Sequence, residues 1–259
     1  MGVTFAETPE VFGSLHLWIV AGILACLIGL GFVLKNWSEK RLLRLIGILG
    51  VLMIVTEIWK QWFVWVYVYE GERSTWFFPW QLCSMSMYVS ALVPVLKGKA
   101  QNTALVFLAT FSVIGAVFAL GFPGDMMRPQ ILLFIHSFWY HGTMLLESLA
   151  ATFVLRNREK VRFVPAICWF LVMAVIAQII NVVSYRVIGD TRLSSNMFQI
   201  TPYYPSTQPV FHEIALAIGV WPEIILYLGC IIFGGFLLFQ LLRIIIARHT
   251  RVNQERLDK

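Results

Sequence analysis

The amino-acid sequence predicts an all-α fold: a polytopic membrane bundle of about seven transmembrane helices, with the N-terminus outside and the C-terminus in the cytoplasm. Composition is the first reason. Of 259 residues, 59% are hydrophobic and 13% are charged, whereas soluble domains are roughly 45–50% apolar and about 25% charged. The other reasons are a series of long apolar stretches and an uneven distribution of basic residues between loops. We expect a single transmembrane domain over residues 1–259.

The apolar stretches define the helices in chain order. Each can cross a hydrocarbon core of about 30 Å at about 1.5 Å per residue. Their continuous apolar character favours helices over the alternating strands of a membrane barrel. Pro79, Pro165 and Pro222 are predicted to lie in first turns, where a missing N–H is harmless. The predicted helices are 15–35, 44–69, 77–96, 103–122, 130–155, 162–187 and 219–246.

The loops predict the orientation, because cytoplasmic loops carry an excess of Lys and Arg. Fifteen basic residues fall on one side of the predicted bundle and four on the other. The first group is Lys35, Lys40, Arg41, Arg44, Lys97, Lys99, Arg156, Arg158, Lys160, Arg162, Arg243, Arg248, Arg251, Arg256 and Lys259; the second is Arg73, Arg128, Arg186 and Arg192. This distribution explains the net charge of +6, so no nucleic-acid partner is expected.

The predicted outer loop 188–218 is unusually long, and loops of this length are often lids or binding segments. Apolar residues near its end recur at helical spacing, with His212 and Glu213 opposite them. This pattern favours a short helix lying in the outer interface, over the mouth of a cavity. A loop without regular structure is the alternative.

Polar side chains inside the predicted helices are the candidates for function, because an ionisable group at membrane depth is costly unless it is paired. Most of them fall in the outer half of the bilayer, on several helices, so we expect one polar cavity that opens outward. The candidates are Glu57, Lys60, Cys83, His136, His141, Glu147, Gln178, Asn181 and Glu223.

Several candidates also have a purely structural explanation. Glu57 and Lys60 are spaced i,i+3 and can neutralise each other. Cys83 can be a small packing residue, and Glu223 can favour the dipole of the last helix. Gln178 and Asn181 can be hydrogen-bond partners between helices.

Cys83 and His141 together suggest nucleophilic catalysis. A neutral imidazole can take the thiol proton as the sulfur attacks, which gives a thioester intermediate, and Lys60 or Asn181 could stabilise the oxyanion. His141 is deep and lies beside Gly142, which allows close approach of another backbone, while Ser137 and Ser148 could orient its ring. His136 lies about 140° away around the helix, so the two histidines are not expected to point into one site. The cysteine spacing shows no zinc-binding pattern.

Several motifs resemble those of YwaF-type bacterial membrane proteins and their eukaryotic relative, transmembrane protein 164. FPWQLCSMS resembles the Cys helix of that family, and FWYHGTMLL its His-Gly helix, which selects His141 over His136. VIGAVFALGFP, Asn181, SSNMF at Asn196, and GVWPEIILYL resemble its remaining elements. This chain has Asn-Met-Phe where the family tends to have Asn-Tyr-Met, and Glu147 replaces a usually apolar or small residue.

The resemblance implies a seven-helix fold and a lipid acyltransferase or lipid hydrolase with Cys83 and His141 as catalytic residues. It adds Asn196 to the expected binding residues, which are Glu57, Lys60, His136, Gln178, Asn181, Asn196 and Glu223. We expect membrane lipids as partners, no cofactor, no metal, and a location in the cell membrane. The alternatives are a small-molecule transporter or channel, and a sensor or assembly factor with the same cavity. A rhodopsin is excluded, because the last predicted helix has no Lys for a retinal Schiff base.

Overall fold

A computed structural model describes residues 3–72, 74–158 and 160–257, with the side chains of residues 250–257 left undescribed. Arg73 and Lys259 of the charge pattern therefore lie outside the described residues, and so do the side chains of Arg251 and Arg256. The helices are α1 (Ser14–Leu34), α2 (Glu39–Tyr67), α3 (Leu82–Leu92), α4 (Gly98–Phe107), a π-helical segment (Leu108–Ser112), α5 (Val113–Gly121), α6 (Ile131–Leu155), α7 (Val164–Ile188), α8 (Phe211–Ile218) and α9 (Val220–Leu257).

The predicted all-α fold is confirmed, since the described residues contain helices and no strand beyond one isolated bridge, Thr4 to Gln130. Five helices are long and apolar enough to cross a membrane: Ser14–Leu34, Glu39–Tyr67, Gly98–Gly121, Val164–Ile188 and Val220–His249. Helix α6 has 25 residues but is not among the five, and its polar side chains make it less apolar. The number of crossings and the orientation stay predictions.

Helix α3 is much shorter than its predicted bounds. The sequence predicts a helix over 77–96, but α3 has 11 residues, Leu82–Leu92, which span only about 16 Å. Gln81 is extended, with φ −76° and ψ 162°, so Pro79 precedes the helix instead of lying in its first turn. Pro94 follows the end of α3 and supplies no N–H to continue it. Pro165 and Pro222 do lie in first turns, of α7 and α9.

Glycines bring α2 and α3 unusually close. A Cβ built on Gly50 would lie 2.4 Å from the backbone N of Ala91, and one built on Gly47 would lie 2.3 Å from Pro94 Cγ. Only glycine fits at such a contact, and small residues commonly allow close packing between membrane helices. The C-terminal end of α3 is therefore held closely against α2 at Gly47 and Gly50.

The basic loops meet at one end of the bundle. Arg158 donates to Glu39 Oε1 (2.5 Å) and to Gln101 Oε1 (3.0 Å), and the Arg156 guanidinium donates to the Lys35 carbonyl. These bonds join the segment after α6 to the end of α1, the start of α2 and the first turns of α4. At the other end, the Phe5 N–H donates to the Pro129 carbonyl and the Thr75 N–H donates to the Leu193 carbonyl.

The long segment between α7 and α9 is folded, and it begins where Gly189 takes a left-handed conformation (φ 73°). The predicted short helix near its end is present as α8, which packs on α9; the ring centroids of Phe211 and Tyr227 are 4.9 Å apart. Tyr204 donates to the Ser194 carbonyl at 3.5 Å, and burial raises the pKa of Tyr204 to about 12. Its hydroxyl therefore remains a donor across the physiological pH range.

Candidate functional site

A cavity of about 500 Å³ lies between α2, α3, α5, α6, α9 and the segment that follows α7. Apolar and aromatic side chains form most of its wall, among them Trp76, Phe118, Phe198 and Tyr227. Five of the residues selected from the sequence line it together: Glu57, Lys60, Cys83, His136 and His141.

Cys83 is the second residue of α3, because that helix begins at Leu82. The N–H groups of the first turn of a helix have no acceptor within the helix, and no side chain caps α3. Leu82, Cys83 and Ser84 all line the cavity. The thiol therefore lies at a positive helix end, beside backbone donors, an arrangement that favours anions.

Gly115 of α5 makes room for the Cys83 sulfur. A Cβ at Gly115 would lie 3.2 Å from Cys83 Sγ and 3.5 Å from Met144 Cε. Cys83 as a whole is half-buried, and its other neighbours include the packed cluster around Met53, Met87 and Tyr140. The sulfur is thus fixed by packing on one side and accessible on the other.

The ring of His141 is oriented by a backbone carbonyl. Its Nδ1 lies 2.7 Å from the Ser137 carbonyl oxygen, which can only accept, so Nδ1 carries the proton and Nε2 of the neutral ring has a free lone pair. The predicted orientation by serine hydroxyls is wrong: Ser137 Oγ donates to the Leu133 carbonyl, and Ser148 Oγ to the Leu108 and Met144 carbonyls. A serine hydroxyl in a helix commonly bonds to the carbonyl four residues earlier, as both of these do.

Two further expectations about this part of α6 are corrected. Gly142 does not admit another backbone; its nearest neighbour is the Ile23 side chain, at an ordinary 3.6 Å from a Cβ built there. His136 lines the same cavity as His141, because the cavity is wide enough to contact more than one face of the helix. His136 is nevertheless buried, and its Nε2 has no hydrogen-bond partner.

Glu57 and Lys60 form the ion pair that their spacing predicts, with 2.7 Å between Oε1 and Nζ. Gln61 Nε2 also donates to Glu57 Oε1 at 2.7 Å and to the Phe77 carbonyl at 2.5 Å. The carboxylate is buried, while the Lys60 side chain is 20% exposed. The Lys60 ammonium group therefore lies at the cavity wall with its charge offset by Glu57.

The other four residues predicted to bind a ligand do not line the cavity. Asn181 and Asn196 are buried and bonded to backbone groups of the segment after α7. Both carboxylate oxygens of Glu223 and the Oε1 of Gln178 are buried without a hydrogen-bond partner. Asn181 donates to the Met197 carbonyl at 3.0 Å, so this amide is not directed at Cys83.

Glu147 lies outside the cavity as well. It is fully buried, Ser90 is its polar neighbour, and neither carboxylate oxygen makes a hydrogen bond of normal geometry. We have no functional account of this side chain.

Sequence reasoning missed Gln81 and Gly115. Gln81 lies inside the FPWQLCSMS motif. Its hydrogen-bond partners are more than 100 residues away along the chain, so the motif alone does not reveal them. Gly115 contacts Cys83 from another helix, and no sequence pattern gives that pairing. Among the described residues, no group of three or more His, Cys, Asp or Glu side chains is placed to hold a metal ion.

The long apolar helices, with a cavity between them, define a helical membrane protein. The family model of the TMEM164 family matches residues 11–240, which is most of the chain, and the protein therefore belongs to that family. Comparison with curated proteins and with solved structures found no match.

Proposed function

We propose that this protein is a lipid acyltransferase or lipid hydrolase of the cell membrane that uses Cys83 as nucleophile and His141 as general base and acid. The observation that carries the proposal is that Cys83, in the first turn of α3, and His141, with Nδ1 bonded to the Ser137 carbonyl, line one cavity. Its wall is largely apolar, as expected for a site that accepts an acyl chain.

In the first step, Cys83 Sγ attacks the carbonyl carbon of a lipid ester while its proton moves to His141 Nε2. A sulfur–carbon bond forms and the carbonyl oxygen becomes an oxyanion. The carbon–oxygen ester bond then breaks, and the leaving alkoxide takes the proton back from His141. The product is an acyl thioester on Cys83.

In the second step, a hydroxyl group of an acceptor lipid, or water, gives its proton to His141 Nε2 and attacks the thioester carbonyl. The carbon–sulfur bond breaks, and the thiolate recovers the proton. An acceptor lipid gives acyl transfer, and water gives hydrolysis. The neutral ring needs only Nε2 for both steps, which suits a ring whose Nδ1 is already engaged.

The oxyanion would be stabilised by the uncapped N–H groups at the start of α3. Backbone donors aimed at the developing charge are a common solution in acyl transfer. This assignment replaces Asn181, whose amide is bonded to Met197. Lys60 remains a second source of positive charge at the cavity wall, although Glu57 offsets it.

The test uses purified protein in phosphatidylcholine and phosphatidylethanolamine vesicles with a labelled acyl chain and a lysophospholipid acceptor. Cys83→Ala and His141→Ala should each lower turnover by roughly 10³-fold or more without loss of folding, and Cys83→Ser should retain little activity. Cys168→Ala, at an exposed cysteine outside the cavity, is the matched control. Full turnover in Cys83→Ala would refute the nucleophile and favour a binding or transport role for the cavity.

A further inference from the structure

Two side-chain amides form hydrogen bonds with the backbone of the same three residues, 196–198, which we call the clamped segment. Asn181 of α7 accepts from the Met197 N–H at 2.6 Å and donates to the Met197 carbonyl at 3.0 Å. Gln81 accepts from the Phe198 N–H at 2.8 Å and donates to the Asn196 carbonyl at 2.9 Å. Each amide thus pairs with one N–H and one carbonyl, as a neighbouring backbone would.

The clamped segment has an unfavourable backbone conformation. Phe198 and the adjacent Gln199 have φ values of 56° and 59°, in a region that bulky L-residues rarely adopt. Such outliers persist only where the surroundings hold them, and they occur frequently at functional sites. Gln199 is held in turn, because its Oε1 accepts from Asn196 Nδ2 (3.1 Å) and Thr207 Oγ1 (2.9 Å).

This conformation places Phe198 in the cavity wall. The Phe198 side chain is 1% exposed, its ring centroid is 5.9 Å from that of Phe170, and it lines the same cavity as Cys83. Releasing the clamped segment would therefore change the wall that faces the thiol.

Gln81 is also the N-cap residue of α3. Side chains at this position often bond to the first free N–H groups of a helix, but the Gln81 side chain is engaged with the clamped segment and caps nothing. Its own carbonyl accepts from the Met85 N–H at 3.2 Å. One residue therefore starts α3 and leaves the first-turn N–H groups of Cys83 and Ser84, two residues that line the cavity, without a side-chain cap.

We propose that Gln81 is a positioning residue for the reaction at Cys83: its amide locks the clamped segment over the start of α3, which fixes the Phe198 wall and keeps the first-turn N–H donors uncapped. This inference rests on the proposed function. Gln81 itself lines the cavity, but both ends of its amide are engaged by the clamped segment, so the role assigned to it is the placement of the groups that contact substrate.

The main variant is Gln81→Met, which keeps the length of the side chain and removes both hydrogen bonds. Gln81→Glu keeps an acceptor for the Phe198 N–H but puts an oxygen against the Asn196 carbonyl, and it serves as the second variant if Gln81→Met folds poorly. Gln240→Met is the control, because Gln240 makes only an exposed 3.4 Å contact with Arg243. Folding is checked by thermal unfolding in detergent.

Two readouts separate positioning from general loss of structure. In the labelled vesicle assay, Gln81→Met should lower kcat about tenfold or more and change KM much less. In the absence of substrate, peptide mass spectrometry should show faster alkylation of Cys83 by a soluble maleimide, while Cys26 and Cys168, which do not line the cavity, react as before. The control should match the unchanged protein in both readouts.

The outcomes distinguish this inference from the proposed function. If Cys83→Ala abolishes turnover but both Gln81 variants keep kcat and the alkylation rate of a folded protein, the positioning role is refuted and the nucleophile stands. If Cys83→Ala keeps full turnover, both are refuted, whatever Gln81 does. If the Gln81 variants raise KM alone, Gln81 acts in substrate binding and the positioning role is again refuted.

Discussion

At the scale of single residues, the site depends on which atoms are already engaged. The Ser137 carbonyl fixes the tautomer of His141, so a backbone acceptor takes the place of the carboxylate that orients histidine in many catalytic triads. The surroundings of the Cys83 sulfur are set by the position of Cys83 in the first turn of α3 and by the space that Gly115 leaves. Neither the tautomer of His141 nor the placement of Cys83 depends on a charged residue next to them.

The space at Gly115 gives a prediction. Gly115→Ala would put a Cβ 3.2 Å from Cys83 Sγ, so the thiol must shift by a few tenths of an ångström. We expect turnover in the vesicle assay to fall by about tenfold. Gly121→Ala, on the same helix with nothing within 4 Å of its Cβ, should keep normal turnover. Equal turnover in both variants would show that the position of the sulfur is not critical.

At the scale of elements, α3 is a short helix that lies between an irregular segment and Pro94. The sequence places it correctly in order but not in extent, because FFPW is apolar and no local signal shows that residues 77–81 form turns and irregular chain instead of helix. Gln81 and Asn181 bond to a segment more than 10 residues away along the chain, so their pairing follows from tertiary structure. The helices with uniform apolar composition, such as α1 and α7, were predicted to within two residues at each end.

The close contact of α2 with α3 predicts a stability effect. Gly50→Ala would place a Cβ 2.4 Å from a backbone atom of Ala91, so the two helices must separate. We expect the free energy of unfolding in mild detergent to fall by about 2–3 kcal/mol. Gly29→Ala on α1, with open space around its Cβ, should change it by less than about 0.5 kcal/mol. Similar unfolding curves for the two variants would contradict the contact.

At the scale of the whole molecule, the two ends of the bundle differ in charge, and the cavity lies toward one of them. The basic loops gather at one end through Arg158, Glu39 and Gln101, and the cavity lies toward the end where residues 74–81 meet the segment after α7. The charge pattern predicts the first end to be cytoplasmic, which would open the cavity to the outer leaflet.

Reporter fusions test this orientation. A reporter fused after Lys259 should be active only in the cytoplasm, and one fused before Met1 only outside, because fifteen of the basic residues lie on the side of the C-terminus. A single-cysteine labelling experiment on intact cells, with a membrane-impermeant maleimide at position 191, provides an independent check. Labelling from the cytoplasmic side alone would reverse the assignment of the cavity to the outer leaflet.

Much of the candidate site follows from the sequence, since five of its polar residues were selected as buried groups at membrane depth and share one cavity. Four others were assigned to the same cavity from depth alone. Depth gives the height of a residue in the bilayer but not the partner that its side chain meets. Asn181 shows this limit: its distance from the end of its helix placed it with the cavity residues, but its side chain bonds to Met197 instead.

The most direct test of the central claim is the covalent intermediate itself. The protein is incubated with vesicles that contain a labelled acyl lipid but no acceptor, quenched in acid, and analysed by intact-protein and peptide mass spectrometry. The account predicts an acyl adduct on Cys83 that hydroxylamine removes, as expected for a thioester, and its absence in Cys83→Ser and His141→Ala. Turnover of the lipid with no adduct on Cys83, or with an adduct that persists in His141→Ala at the normal rate, would contradict it.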